Sequence, residues 1–182
     1  MVKKIGFLVG SLRKDSYSQL VADTLNQLLP EGLEGEMILI GDLPFYNEDL
    51  ETDTPPAAWV RFRQEISRLD GVIFVTPEYN RSVPAVLKNA IDVGSRPYGF
   101  NCWDKKPAAV VSQSIGAISG FGANHHLRQS LVFVNMPTLP QPEVYLASIQ
   151  NLLDETGKIN PNTQGFLSQF LQSFATWLNY FQ

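Results

Sequence analysis

The chain is poor in cysteine: one thiol, Cys102, stands among 182 residues. An internal disulfide and a thiolate metal cluster are therefore excluded, which suits a reducing, cytoplasmic setting. Histidine is nearly as scarce. His125 and His126 are adjacent, and on a helix neighbours point roughly 100° apart, so the pair does not share a metal; a helix start near a ligand, or a subunit contact, suits it better. Long apolar runs are missing. Nothing approaches the roughly 18 residues of a membrane span, and the stretch behind Lys3 and Lys4 stops at Val9, short of a signal-type apolar region of about 7–15 residues. Excess positive charge is also missing. A net charge of −4 argues against a nucleic-acid surface. There is no G-x-x-x-x-G-K-[ST] loop, no G-x-G-x-x-G after a strand and no G-x-S-x-G elbow.

What is present is enough apolar material for a core: 44% hydrophobic against 18% charged residues, a balance that favours folding over disorder. The length suits one domain over residues 1–182. Ile5–Val9, Met37–Ile40, Val72–Val75 and Ala108–Val111 read as buried strands, with a fifth near Glu143–Leu146. Helical spacing covers Tyr17–Leu29, Trp59–Leu69, Pro84–Val93, Asn124–Phe133 and Gly165–Phe181. The last carries Phe166, Phe170, Phe174 and Leu178 on one stripe, which reads as core. Alternating strands and helices predict an α/β three-layer sandwich with a five-stranded parallel sheet. The flavodoxin-like order 2-1-3-4-5 places a ligand at the carboxyl ends near strands 1 and 3.

The loop after the first strand reads "GSLRKDSYSQL". Ser11, Ser16 and Ser18 supply hydroxyls, Arg13 a charged fork, and the following helix start attracts an anion. A phosphomonoester fits, and so does a serine-capped helix with a solvated arginine. The loop after the third strand, "TPEYNRSVPAVLKNAID", is stiffened by Pro77 and Pro84. It offers backbone groups to a flat polar edge and Tyr79 as an apolar wall.

Together these two stretches resemble the NAD(P)H-dependent FMN reductase family, in its chromate, quinone and azo-dye reductase branch, and the likeness continues through "SQSIGAISGFGANHHLRQSL". The resemblance implies a flavodoxin-like fold, non-covalent FMN, and a homodimer or homotetramer. It places Ser11, Arg13 and Ser18, with Gln19, on the phosphate; Pro77, Glu78, Tyr79 and Asn80 along the isoalloxazine; and Ser112, Ser114 and Gly116 on its other side. Arg81, next to Asn80, suits a phosphate of NADPH or NADH, and reads equally as a solvated or interface arginine. Where family members often carry Asn and Gly, this chain has Ser18 and Asp15. The implied reaction takes hydride from a nicotinamide and hands electrons to small-molecule acceptors: quinones, chromate, azo compounds or free flavin. No acid–base side chain is required, since the cofactor carries the chemistry. A flavodoxin-type electron carrier and a non-catalytic module are the alternatives; the carrier family has a Thr-rich phosphate loop and is strongly acidic. Cys102 and Trp103 fall in a connection expected to cover the site or a neighbouring subunit, with no base partner to make the thiol a nucleophile.

Overall fold

A computed structural model describes residues 2–181. The elements alternate: β1 (Lys3–Val9), α1 (Tyr17–Gln27), β2 (Leu33–Met37), α2 (Ala57–Ser67), β3 (Gly71–Thr76), α3 (Ala85–Gly94), β4 (Ala108–Gln113), α4 (Phe121–Phe133), β5 (Val144–Leu146) and α5 (Pro161–Leu178). All strands pair in parallel, in the order β2-β1-β3-β4-β5, as the flavodoxin-like expectation has it.

The period of two along each strand divides the core. Leu8, Val72, Phe74, Ala108 and Val110 face α2, α3 and α4. Ile5, Phe7, Val9, Ile73, Val75, Ala109 and Val111 face α1 and α5. β3 and β4 are buried along their whole length, which is why they read as unbroken apolar runs. Burying one such Leu, Ile or Phe side chain contributes about 1.5–3 kcal/mol. Pro161 opens α5 behind Asn160, whose Oδ1 accepts the N–H of Thr163 at 2.9 Å.

Three expectations are corrected. The second strand is Leu33–Met37, not Met37–Ile40. As an edge strand it is half-exposed and alternates with glutamates, so it lacks the apolar run that marks its neighbours. The segment that has that run, with Ile38 and Ile40 buried, leaves the sheet after one further bond from Ile38 N–H to Phe7 O (3.0 Å). In α5, Phe166 stays partly exposed, and the buried set is Leu167, Phe170, Leu171, Phe174 and Leu178. Trp103 covers no site: it is fully buried, its ring against Phe62 and Phe74, and its Nε1 donates to Ile91 O at 3.1 Å. No helix among the described residues is long and apolar enough to cross a membrane.

Candidate active site

β1 and β3 end side by side, with Gly10 N–H donating to Val75 O at 2.8 Å. Glycine leaves this approach uncrowded. A Cβ would stand 2.6 Å from Leu87 Cδ1 and 3.0 Å from Pro77 Cδ. The loop then runs to Ser16, the N-cap of α1, whose Oγ accepts the N–H groups of Ser18 (3.1 Å) and Gln19 (3.4 Å), the usual role of a capping serine. Among the described residues, no protein acceptor meets the N–H groups of Leu12, Lys14 or Asp15. These donors cluster at the positive end of a helix, where an anion is favoured. Ser11 Oγ accepts Arg13 N–H (3.4 Å), which leaves its own proton to donate. Arg13 is exposed, and among the described residues one hydrogen bond, from Nη2 to Asp15 O (2.6 Å), engages its guanidinium. Gln19 donates from Nε2 to Asp23 on its own helix (2.8 Å).

Ser18 differs from the expectation. It has no exposed surface, and its Oγ accepts from Gln113 Nε2 at 2.9 Å. Its hydroxyl joins α1 to the end of β4, because the first turn of α1 lies directly over that strand. Ser112 is likewise turned inward: its Oγ accepts from Asn124 Nδ2 (3.2 Å). Ser114 and Gly116 form a small turn, Gly116 N–H donating to Ser114 Oγ at 3.0 Å. That turn is tied to the end of β5 through Ser114 N–H on Leu146 O (3.1 Å).

After β3 the chain makes a tight turn. Tyr79 and Ser82 exchange both backbone hydrogen bonds, at 3.1 and 2.9 Å, across Asn80 and Arg81, which both have positive φ. Tyr79 stands half out of the surface, and the N–H groups of Glu78 and Asn80 meet no protein acceptor among the described residues. The Glu78 carboxylate turns the other way: Oε2 accepts Ala123 N–H (3.1 Å) and Oε1 lies 3.5 Å from Arg81 Nη1. His126 Nδ1 is 3.0 Å from Ser82 Oγ, and His125 Nε2 is 3.1 Å from Tyr145 OH. Burial, then Glu143, raises that phenol to about 12. Burial also raises the Cys102 thiol to about 12, against the opposing pull of Lys106 and Arg63, so it stays protonated near neutrality and is no nucleophile.

A cavity of about 370 Å³ opens where these loops meet, with Arg13, Leu12, Tyr79, Phe45 and Asn89 in its wall. Its wall joins apolar side chains to the Arg13 guanidinium. Ser11 and Gln19 line a neighbouring hollow of about 240 Å³. A larger cleft of about 600 Å³ lies between α3 and α4, but it holds none of the loop's free donors. The family model for NADPH-dependent FMN reductases matches residues 3–151.

The chain belongs to the NADPH-dependent FMN reductase family.

It is an FMN-dependent oxidoreductase with NAD(P)H as reductant. Among its relatives, a quinone reductase of Pseudomonas putida is 56% identical over 177 residues, 97% of this chain and 95% of that protein. A 2-hydroxy-1,4-benzoquinone reductase of a Burkholderia species is 40% identical over 179 residues, 98% and 97% of the two chains. Among solved structures, FerB, a flavoenzyme NAD(P)H:(acceptor) oxidoreductase of Paracoccus denitrificans, superposes with a TM-score of 0.92 at 39% identity over 99% of each chain. In this FMN reductase the cavity unites Arg13 with Tyr79 but leaves Ser114 and Gly116 outside its wall. Sequence reasoning missed the wall made by Gly41, Leu43 and Phe45. The signal was there: a long irregular connection at the carboxyl end of a strand beside strand 1, with an apolar Phe45 in it.

Proposed function

We propose that this chain, acting as one FMN-binding unit in the cytoplasm, uses NAD(P)H to reduce quinones. The observation that carries the reading is a cavity whose wall joins the exposed Arg13 and Leu12, with its free N–H, to Tyr79 and Phe45, next to the free N–H groups of Lys14 and Asp15 in the same loop. Bound FMN supplies hydride and electron transfer. The chain's part is to hold and surround it. Ser11, Arg13, Gln19 and the loop amides bind the phosphate, with Ser16 and Ser18 fixing the loop. The backbone of Pro77, Glu78, Tyr79 and Asn80 meets the ring, and its free amides stabilise negative charge there. Ser112, Ser114 and Gly116 bound the far side, Arg81 meets the nicotinamide cofactor's phosphate, and Phe45 keeps water from the ring.

The quinone class rests on the names of the relatives at 56% and 40% identity. Homodimers or homotetramers fit the exposed aromatic residues described below. Pure protein with stoichiometric FMN should oxidise NADH or NADPH rapidly when 1,4-benzoquinone is added. Initial-rate lines at several quinone concentrations should be parallel, because one small cavity admits nicotinamide and quinone in turn. Oxidation no faster than with free FMN alone would overturn the proposal and leave an electron carrier in its place.

A further inference from the structure

Helix α4 begins without a cap of its own. Its N-cap is Gly120, at φ 72°, which has no side chain to offer, and its first turn contains no acidic residue. The first N–H groups of a helix need acceptors. Here the acceptor for Ala123 comes from a residue 45 positions away, the Glu78 carboxylate, at 3.1 Å. A negative group at this end also suits the helix dipole. We infer that Glu78 caps α4 and is thereby a positioning residue for the Tyr79–Ser82 turn, which faces the cavity.

Three further observations support this. First, α4 can come this close only because position 122 is glycine: a Cβ there would stand 2.6 Å from Arg81 O and 3.0 Å from Glu78 Oε2. Second, the far end of the turn is tied to the same helix, through Ser82 Oγ and His126 Nδ1 at 3.0 Å. Third, the turn between these ties is unfavourable. Asn80 has φ 48° and Arg81 φ 65°; this is a conformation that Asn tolerates and Arg rarely adopts. Such conformations persist where surrounding contacts over-determine them. Glu78 at one end and Ser82 at the other provide those contacts, and Tyr79, the wall of the cavity, lies between them. The carboxylate therefore acts on the cofactor through the turn and not by touching it. This role rests on the proposed flavin site.

Glu78→Ala, Glu78→Gln and the wild type separate the possibilities. Amide exchange at Ala123 in the apoprotein reads the cap. FMN titration and the visible spectrum of the bound flavin read the turn. Glu78→Ala should lose protection at Ala123, bind FMN roughly 3- to 30-fold more weakly and shift the flavin spectrum. Glu78→Gln should restore both readouts, since its amide oxygen still accepts the Ala123 N–H. Weaker FMN binding with Ala123 still protected would mean that the carboxylate acts on the flavin directly, overturning the inference. Lost protection with unchanged FMN affinity and spectrum would overturn it from the other side. If Glu78→Ala does not fold, Gly122→Ala replaces it: the added Cβ parts α4 from the turn with the carboxylate intact, and the same losses are expected. A wild-type chain that binds no FMN sinks the functional reading instead, and exchange at Ala123 with the Tyr79 chemical shifts still decides the clamp.

Discussion

Arg13 carries an exposed charge in the wall of the cavity. Its guanidinium rests on the Asp15 carbonyl at the rim of the cavity, and no carboxylate is paired with it among the described residues. A hydrogen bond to a charged group is worth roughly 1.5–3 kcal/mol, so Arg13→Ala should weaken FMN binding roughly 10- to 150-fold. Riboflavin, which lacks the phosphate, should bind the variant as well as it binds the wild type. Calorimetric titration with both ligands tests this. An equal loss for the two would mean that Arg13 serves through Asp15, by shaping the loop. Ser16 and Ser18 show the opposite condition: their hydroxyl oxygens are occupied by N–H donors within the chain.

Among the elements, the connection from β2 to α2 has the least regular structure and the most direct bearing on the cavity. One buried side chain makes three of its ties. Asn89, on α3, accepts Tyr46 N–H at 2.8 Å and donates to Leu43 O and Pro44 O at 3.2 and 3.1 Å. Trp59 Nε1 shares the Pro44 carbonyl (3.0 Å), and Tyr46 stacks on the Trp59 ring. Phe45, between these anchors, is pushed out over the cavity and left 75% exposed. Removing the Asn89 amide leaves buried backbone groups unpaired, at about 1–3 kcal/mol. Asn89→Ala should lower the urea-unfolding free energy by that amount and expose residues 41–56 to proteolysis. Unchanged stability would show that Trp59 and the apolar contacts suffice. An interior Asn in "LKNAID" reads in the sequence as a weak helix former; its partners lie 43 to 46 positions away, beyond any local pattern.

At the scale of the whole molecule, large exposed aromatic side chains stand around the end of α4 and the segment after α3. Phe133 is 86% exposed at the end of α4 and lines the cleft against α3; Phe100 and Tyr98 are 75% and 93% exposed. Phe100 lines a second hollow of about 660 Å³, and Arg96 belongs to both. Side chains of this size, left in water together, mark an interaction surface, and a two-fold assembly is the common way to cover it. Light scattering at micromolar concentration should give a dimer or a tetramer. Phe133→Glu should shift the mass toward the monomer while leaving the circular dichroism spectrum unchanged. A wild-type monomer would refute this.

The amino-acid sequence by itself determined the order of the elements and placed all but the edge strand β2. β1, β3 and β4 are buried on both faces, so their identity is written as continuous apolar runs. Helices such as α5 carry their core face at a spacing that any neighbour of the right shape can cover. The two loops that carry the family likeness are contiguous stretches of chain, legible for the same reason. The tertiary structure alone decided which polar atoms remain for a ligand. Ser18 looked available, but Gln113, 95 residues on, occupies its hydroxyl. Glu78 sat in the loop expected along the ring, but α4 takes its carboxylate. The third wall of the cavity came from a segment with no motif, fixed by Asn89 across the fold. A hydroxyl or carboxylate has the same composition whether free or bound, and its partner is chosen by which elements the sheet brings together. Hydrogen-bond partners dozens of residues apart leave no periodicity to read.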